Sequence, residues 1–210
     1  MADWATISSL ATAGGTLVLA VATFAAVRSS NRSARIAEVA LQEQPRPVLT
    51  QSRFDDPEQK VMFIDGRWLH VRGGGADVIH ENGAVYLAMS LRNVGSGIGV
   101  LQGWFVQPGL QGARGEHASE DRYHAQTRDL YIPAGDVGLW QGALRDASDP
   151  AHGQVAQAIA AREPLTVELL YSDQVGSQRT ITRFSVIPAG EDRWLATVGR
   201  YWYLDRMGPR

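Results

Sequence analysis

From residue 4 to residue 27 the chain reads WATISSLATAGGTLVLAVATFAAV, about 24 residues without a charge, where a helix needs roughly 20 to cross the hydrocarbon core of a bilayer. Ile7, Leu10, Leu17, Val18, Leu19, Val21, Phe24 and Val27 supply most of the transfer free energy, and the interspersed Ser, Thr and Gly residues moderate it. The preferred reading is a transmembrane anchor over residues 1–27, with Trp4 at one interface. A cleaved signal peptide and a buried soluble helix are the alternatives. A signal peptide has a basic start and a shorter apolar core, whereas this chain begins Met1-Ala2-Asp3 and carries its basic residues after the apolar run.

Arg28, Arg32 and Arg35 follow the run, and only Asp3 precedes it. The basic flank of a single span usually faces the cytoplasm. The expectation is therefore a single-pass protein of the plasma membrane with its C-terminal domain inside the cell and these three arginines at the bilayer interface. Small residues four apart, Ala11 with Gly15 and Ala22 with Ala26, would let two such helices approach closely, a weak signal for a homodimer in the membrane. Residues 28–45 contain helix formers with a narrow stripe at Ile36, Val39 and Ala40, and Pro45 and Pro47 end the pattern. They predict a helical stalk that docks on the domain or pairs with a second copy.

From 46 to 205 the periodicity changes to that of strands, with 206–210 left as a tail. Asp65-Gly66 and Asn82-Gly83 each predict a two-residue hairpin turn. Beyond the second, Val85, Leu87, Met89 and Leu91 alternate with Tyr86, Ala88, Ser90 and Arg92, so one face of that strand is core. Leu165, Val167, Leu169 and Tyr171 alternate in the same way, and further strands are expected through Thr182, Phe184 and Val186 and from 193 to 204. One or two short helices interrupt them, near 119–126 and over 150–162, the second with Asp149 as N-cap and Pro150 at its first position. No repeat period recurs. Short strands with frequent turns favour a mainly β domain built as a two-sheet sandwich.

Arg46-Pro47-Val48-Leu49, the strand end Leu91-Arg92-Asn93-Val94-Gly95-Ser96-Gly97 and the segment Asp129-Leu130-Tyr131-Ile132-Pro133-Ala134-Gly135-Asp136 carry a resemblance. With the order span, stalk, sandwich, the chain resembles uncharacterised membrane-anchored proteins of actinobacteria. That resemblance implies an immunoglobulin-like sandwich on a tether, and it implies no activity, ligand or catalytic residue.

Composition narrows the function classes. A net charge of −2, and no dense Arg or Lys stretch, gives nothing to attract nucleic acid. The absence of cysteine excludes disulfides, thiolate metal sites and a Cys nucleophile. Gly95-Ser96-Gly97-Ile98-Gly99 has the glycines of a phosphate loop, but it joins two strands and no Lys follows, so it reads as a bend. Asp55-Asp56 before Pro57 reads as turn chemistry. No cofactor is implied.

Two weaker constellations remain. His117, Glu120 and His124 would share one face if 119–126 were helical, and with Asp121 could ligate a metal as in a metal-assisted hydrolase; a polar, solvated segment is the favoured alternative. An excursion of about 20 residues, from Gln107 to Asp129, is longer than most connections. With Trp104 before it, Tyr123 within it and Trp140 after it, it could form a recognition surface for a protein partner, or it could simply cover a sheet edge. The leading expectation is a membrane-tethered binding or scaffold module. The alternatives are the anchored hydrolase and, with topology reversed, an exported sensor or adhesion domain.

Overall fold

The computed structural model describes residues 4–43, 46–112 and 115–205, and the side chains of 4–12, 38–43 and 129 lie outside that description. The side chains of Trp4 and Ala11, named above as an interfacial residue and a helix-packing residue, and the tail 206–210 therefore fall outside the described part. The chain divides into two compact units, Met1–Gln44 and Pro45–Arg210.

The first unit is one helix, α1 (Trp4–Glu43). At 1.5 Å rise per residue its 40 residues extend about 60 Å. No proline interrupts it, so the apolar run and the stalk are a single continuous element. Within its described side chains, Ala13–Ala37 is long and apolar enough to cross a membrane, with a mean hydropathy of 1.3. Leu17, Val18, Leu19, Val21, Phe24 and Val27 are all exposed. Such a helix suits an anchor or a signal sequence.

The second unit is mainly β. Its strands are β1 (Leu49–Gln51), β2 (Gln59–Met62), β3 (Trp68–Val71), β4 (Gly75–Glu81), β5 (Ala84–Asn93), β6 (Gly99–Pro108), β7 (His124–Ile132), β8 (Val137–Leu144), β9 (Leu165–Ser172), β10 (Thr180–Ala189) and β11 (Arg193–Tyr203). One helix, α2 (Pro150–Ala160), lies between β8 and β9, and the Asp149 side chain caps it by accepting from Ala151 N–H.

Nine of these strands form one antiparallel sheet in place of the two sheets of a sandwich. The order runs β1-β5-β4-β11-β10-β9-β6-β7, and β8 pairs with the other edge of β5. The reason lies in β5, which is used on both edges: β4 and β1 share one side and β8 takes the other. Register breaks at Gln102 in β6, between Leu101 and Gly103, and opposite Gly199 in β11, between the partners Val198 and Arg200, add the local twist that lets a long sheet coil. The sheet curls until its two ends, β7 and β8, lie beside each other.

Inside the curl is the main core, with Val85, Leu87, Met89 and Leu91 of β5, Leu165, Val167, Leu169 and Tyr171 of β9, and Trp104, Trp140 and Phe184. The opposite face of β5 is buried too, which its alternation did not predict. The β2–β3 hairpin lies over it, and Val61, Phe63, Leu69 and Val71 pack on Tyr86 and Ala88 in a second, smaller core. At the hairpin's tip, Gly66 N–H bonds Phe63 O and Phe63 N–H bonds Arg67 O. The connection is therefore a three-residue loop with Gly66 at φ 80° in place of the two-residue turn expected at Asp65-Gly66. Asn82-Gly83 does form a two-residue turn, with φ 52° and 75°.

Candidate functional site

Two polar regions of the domain stand apart from ordinary surface. The first lies on the outer face of β9 and β10, under residues 109–112 and 115–123. Glu168 and Arg183 are cross-strand neighbours, 1% and 3% exposed, and Arg183 donates to Glu168 Oε1 from Nε at 2.8 Å and from Nη2 at 2.7 Å. Both residues tie down the covering segment. Arg183 also donates to the carbonyls of Gly112 and Glu116. Glu168 Oε2 accepts from Ala118 N–H at 2.9 Å and from the Tyr123 hydroxyl at 2.6 Å. Burial, with this carboxylate as second cause, pushes the Tyr123 hydroxyl well above the ordinary tyrosine range. The segment is a cover held from beneath.

It also disperses the residues that a helix would have gathered. Only a 3₁₀ turn forms, Glu120–Arg122, and β7 begins at His124, because Trp104 of β6 takes His124 into the sheet. His117 Nδ1 lies 2.7 Å from Ala118 O, with its ring beside Trp202. Glu120 pairs with Arg179 at 3.0 Å. His124 stacks on Trp104 with ring centroids 4.4 Å apart and sits 3.6 Å from Asp149 Oδ2. The three have different partners, and among the described residues no three His, Cys, Asp or Glu groups gather as a metal site would need. The glycine loop is equally committed. Ser96 and Gly97 N–H donate to Arg46 O, Gly95 N–H donates to Asn93 Oδ1, and Asn93 Nδ2 donates to Gly97 O. Its backbone groups bind the chain itself. Asp56 accepts from Arg53 N–H and pairs with Arg92, whose hydrogen bond holds the carboxyl below the usual carboxylate range.

The second region is the seam where β7 and β8 meet. No ladder joins them. Four residues of β7, 126–129, leave the register with β6 opposite Gln102, and here a cleft of about 670 Å³ opens. Its walls include Trp104, His124, Arg128 and Gln141, and Met62 and Ile64 of the β2–β3 hairpin overhang it. Gly142 permits this arrangement, since a Cβ there would come within 2.9 Å of both Trp104 and Trp140. Those two indoles meet edge to face at 5.6 Å, with Trp104 on the cleft and Trp140 behind it in the core. Of the three aromatics marked for recognition in the sequence, Trp104 lines the cleft, Trp140 supports it, and Tyr123 turns to the other face to bind Glu168.

The seam leaves polar atoms unanswered. Gln126 Nε2 donates to Gln141 O at 3.2 Å across it. Gln126 Oε1, Gln141 Oε1 and Trp140 Nε1 are buried without a hydrogen-bond partner, although buried polar atoms nearly always find one. Arg128 donates to Met62 O at 3.3 Å, and no described carboxylate pairs with it. Gln126, Arg128 and Gln141 were missed in the sequence. A signal existed in β8, where Gln141 stands in an otherwise apolar LWQGAL run.

No family model, curated protein or solved structure matches the chain.

Proposed function

We propose that the chain is a membrane-tethered protein-binding module that holds its β domain at the cytoplasmic face of the plasma membrane and engages a partner at the β7–β8 seam. The observation that carries the binding part is the cleft itself, where an aromatic wall, an arginine without a described carboxylate and buried unpaired polar atoms converge. Binding sites combine mostly apolar walls with a few convergent polar groups in this way. The tether rests on the exposed apolar surface of α1, and the orientation on Arg28, Arg32 and Arg35 following the apolar run.

Alkaline carbonate should leave the full-length protein in membranes. Release would remove the anchor, and a mature protein lacking the apolar run would identify a signal sequence. Gln157→Cys puts a single thiol on the exposed side of α2 in this cysteine-free chain. It should resist an impermeant thiol reagent in intact cells, and ready labelling would reverse the orientation. Crosslinking in membranes should capture a protein that Arg128→Glu no longer holds; an unchanged crosslinking pattern would move the binding site away from the seam.

A further inference from the structure

Partners on either side of β5 fix the direction of its backbone groups. Ser90 O accepts from Ser52 N–H on the β1 side, and Asn93 N–H donates to Asp136 O on the β8 side. Successive residues of a strand send their N–H and C=O groups to opposite edges. Even-numbered residues of β5 therefore face β4 and β1, and odd-numbered ones face β8. In the observed register, Val85 with Leu144, Leu87 with Gly142 and Met89 with Trp140 are the hydrogen-bonded pairs. Leu139, Gln141 and Ala143 then turn their backbone groups away from β5 and into the seam. Gln141 O meets the Gln126 side-chain amide, which stands where the N–H of a neighbouring strand would be. No described backbone group across the seam bonds to Ala143.

We infer that the seam receives an extended acidic segment of a partner protein, which adds as a strand to the free edge of β8 at Gln141 and Ala143. This deepens the binding-module reading and rests on it. The free edge supplies the main-chain bonds of strand addition. Charge selects the sign of the partner: Arg128 lines the cleft with no described carboxylate beside it, while Arg145 and His124, which also line it, are paired with Asp65 and Asp149. Alternate side chains of an added strand point to opposite faces. One row would meet Met62 and Ile64, the latter 96% exposed, and the other would meet the Trp104–His124 stack. The unpartnered Gln141 Oε1, on a residue only 8% exposed, would gain a donor.

The test uses the full-length protein in lipid nanodiscs and a fluorescent peptide alternating valine with glutamate. Its counterparts carry lysine for glutamate, or N-methyl groups on one or the other alternate set of amides. The glutamate peptide should bind at least about tenfold tighter than the lysine peptide, a difference of about 1.4 kcal/mol, and Arg128→Glu should remove or invert that preference. Methylating the set of amides that faces β8 should abolish binding, and methylating the set that faces β7 should weaken it less. Ala143→Pro removes an N–H that faces the cleft, so it should weaken binding without lowering the thermal midpoint, since proline is tolerated on a free edge. Equal binding of the two charge forms, indifference to N-methylation of either set, or no binding of any peptide would overturn the inference. Crosslinking in native membranes separates the two levels. A captured partner alongside a failed peptide sinks strand addition alone, whereas carbonate release together with loss of every crosslink sinks the module reading.

Discussion

The two polar regions of the domain are opposites. Under residues 109–112 and 115–123, Glu168 and Arg183 are almost fully buried, and each is bonded to the other and to the chain above it. At the seam, Gln126 Oε1, Gln141 Oε1 and Trp140 Nε1 are buried atoms that bond to nothing described. A buried polar group that lacks a partner is costly, about 1–3 kcal/mol, and one that is matched rigidifies its surroundings. The covered pair therefore serves the fold, while the seam keeps its groups unspent.

The contrast can be broken most forcefully at the covered pair. Glu168→Gln leaves Arg183 buried without its counter-charge and should cost about 3–5 kcal/mol in urea unfolding. Arg128→Glu at the seam should cost almost nothing; equal losses would erase the distinction. Gly142→Ala tests how tightly the seam wall is set. Its methyl group overlaps both indoles, so it should cost about 1–3 kcal/mol and shift tryptophan fluorescence. Unchanged fluorescence would show that Trp104 does not rest against β8.

A smaller effect lies in alkali. The folded pKa of Tyr123 is raised above its unfolded value near 10, so its contribution to stability is complete below that pH and declines as the pH rises past it. Unfolding midpoints should fall between about pH 9 and about pH 11, and less in Tyr123→Phe. An equal fall in the variant would assign the decline elsewhere, for example to Tyr201, pushed up to about 12 chiefly by burial. A comparably small change in stability is expected for Gln126→Ala, within about 0.5 kcal/mol. It should nevertheless tighten binding of the glutamate peptide, because it frees Gln141 O; weaker binding would mean that the Gln126 amide contacts the ligand.

Local chemistry was legible in the sequence, and closure was not. The Asn82-Gly83 turn, the Asp149 cap and the inward row of β9 follow from residue type and alternation. The 119–126 helix fails because pairing of His124 with Trp104 overrides a weak local preference. The hairpin over Tyr86 and Ala88, and the return of β8 to the side of β7, depend on contacts between distant strands that no local pattern records. Glu168 and Arg183 left a trace, since each is a lone charge in an otherwise uncharged strand interior, LTVELLYS and TITRFSV, with opposite signs. Two such charges point to strands that lie side by side. The unused edge of β8 had no comparable mark, because edge or centre is decided by the whole sheet.

That edge also bears on how far association can go. A free strand edge exposed to solvent invites one chain after another and has no built-in end point. Here the edge of β8 looks across a narrow cleft at β7 of the same molecule. A strand entering the cleft has its outer side already occupied, so it offers no fresh template to a third chain. If a partner strand enters there, the curl of the sheet limits it to one copy, because β7 of the same molecule stands where a further chain would have to pair.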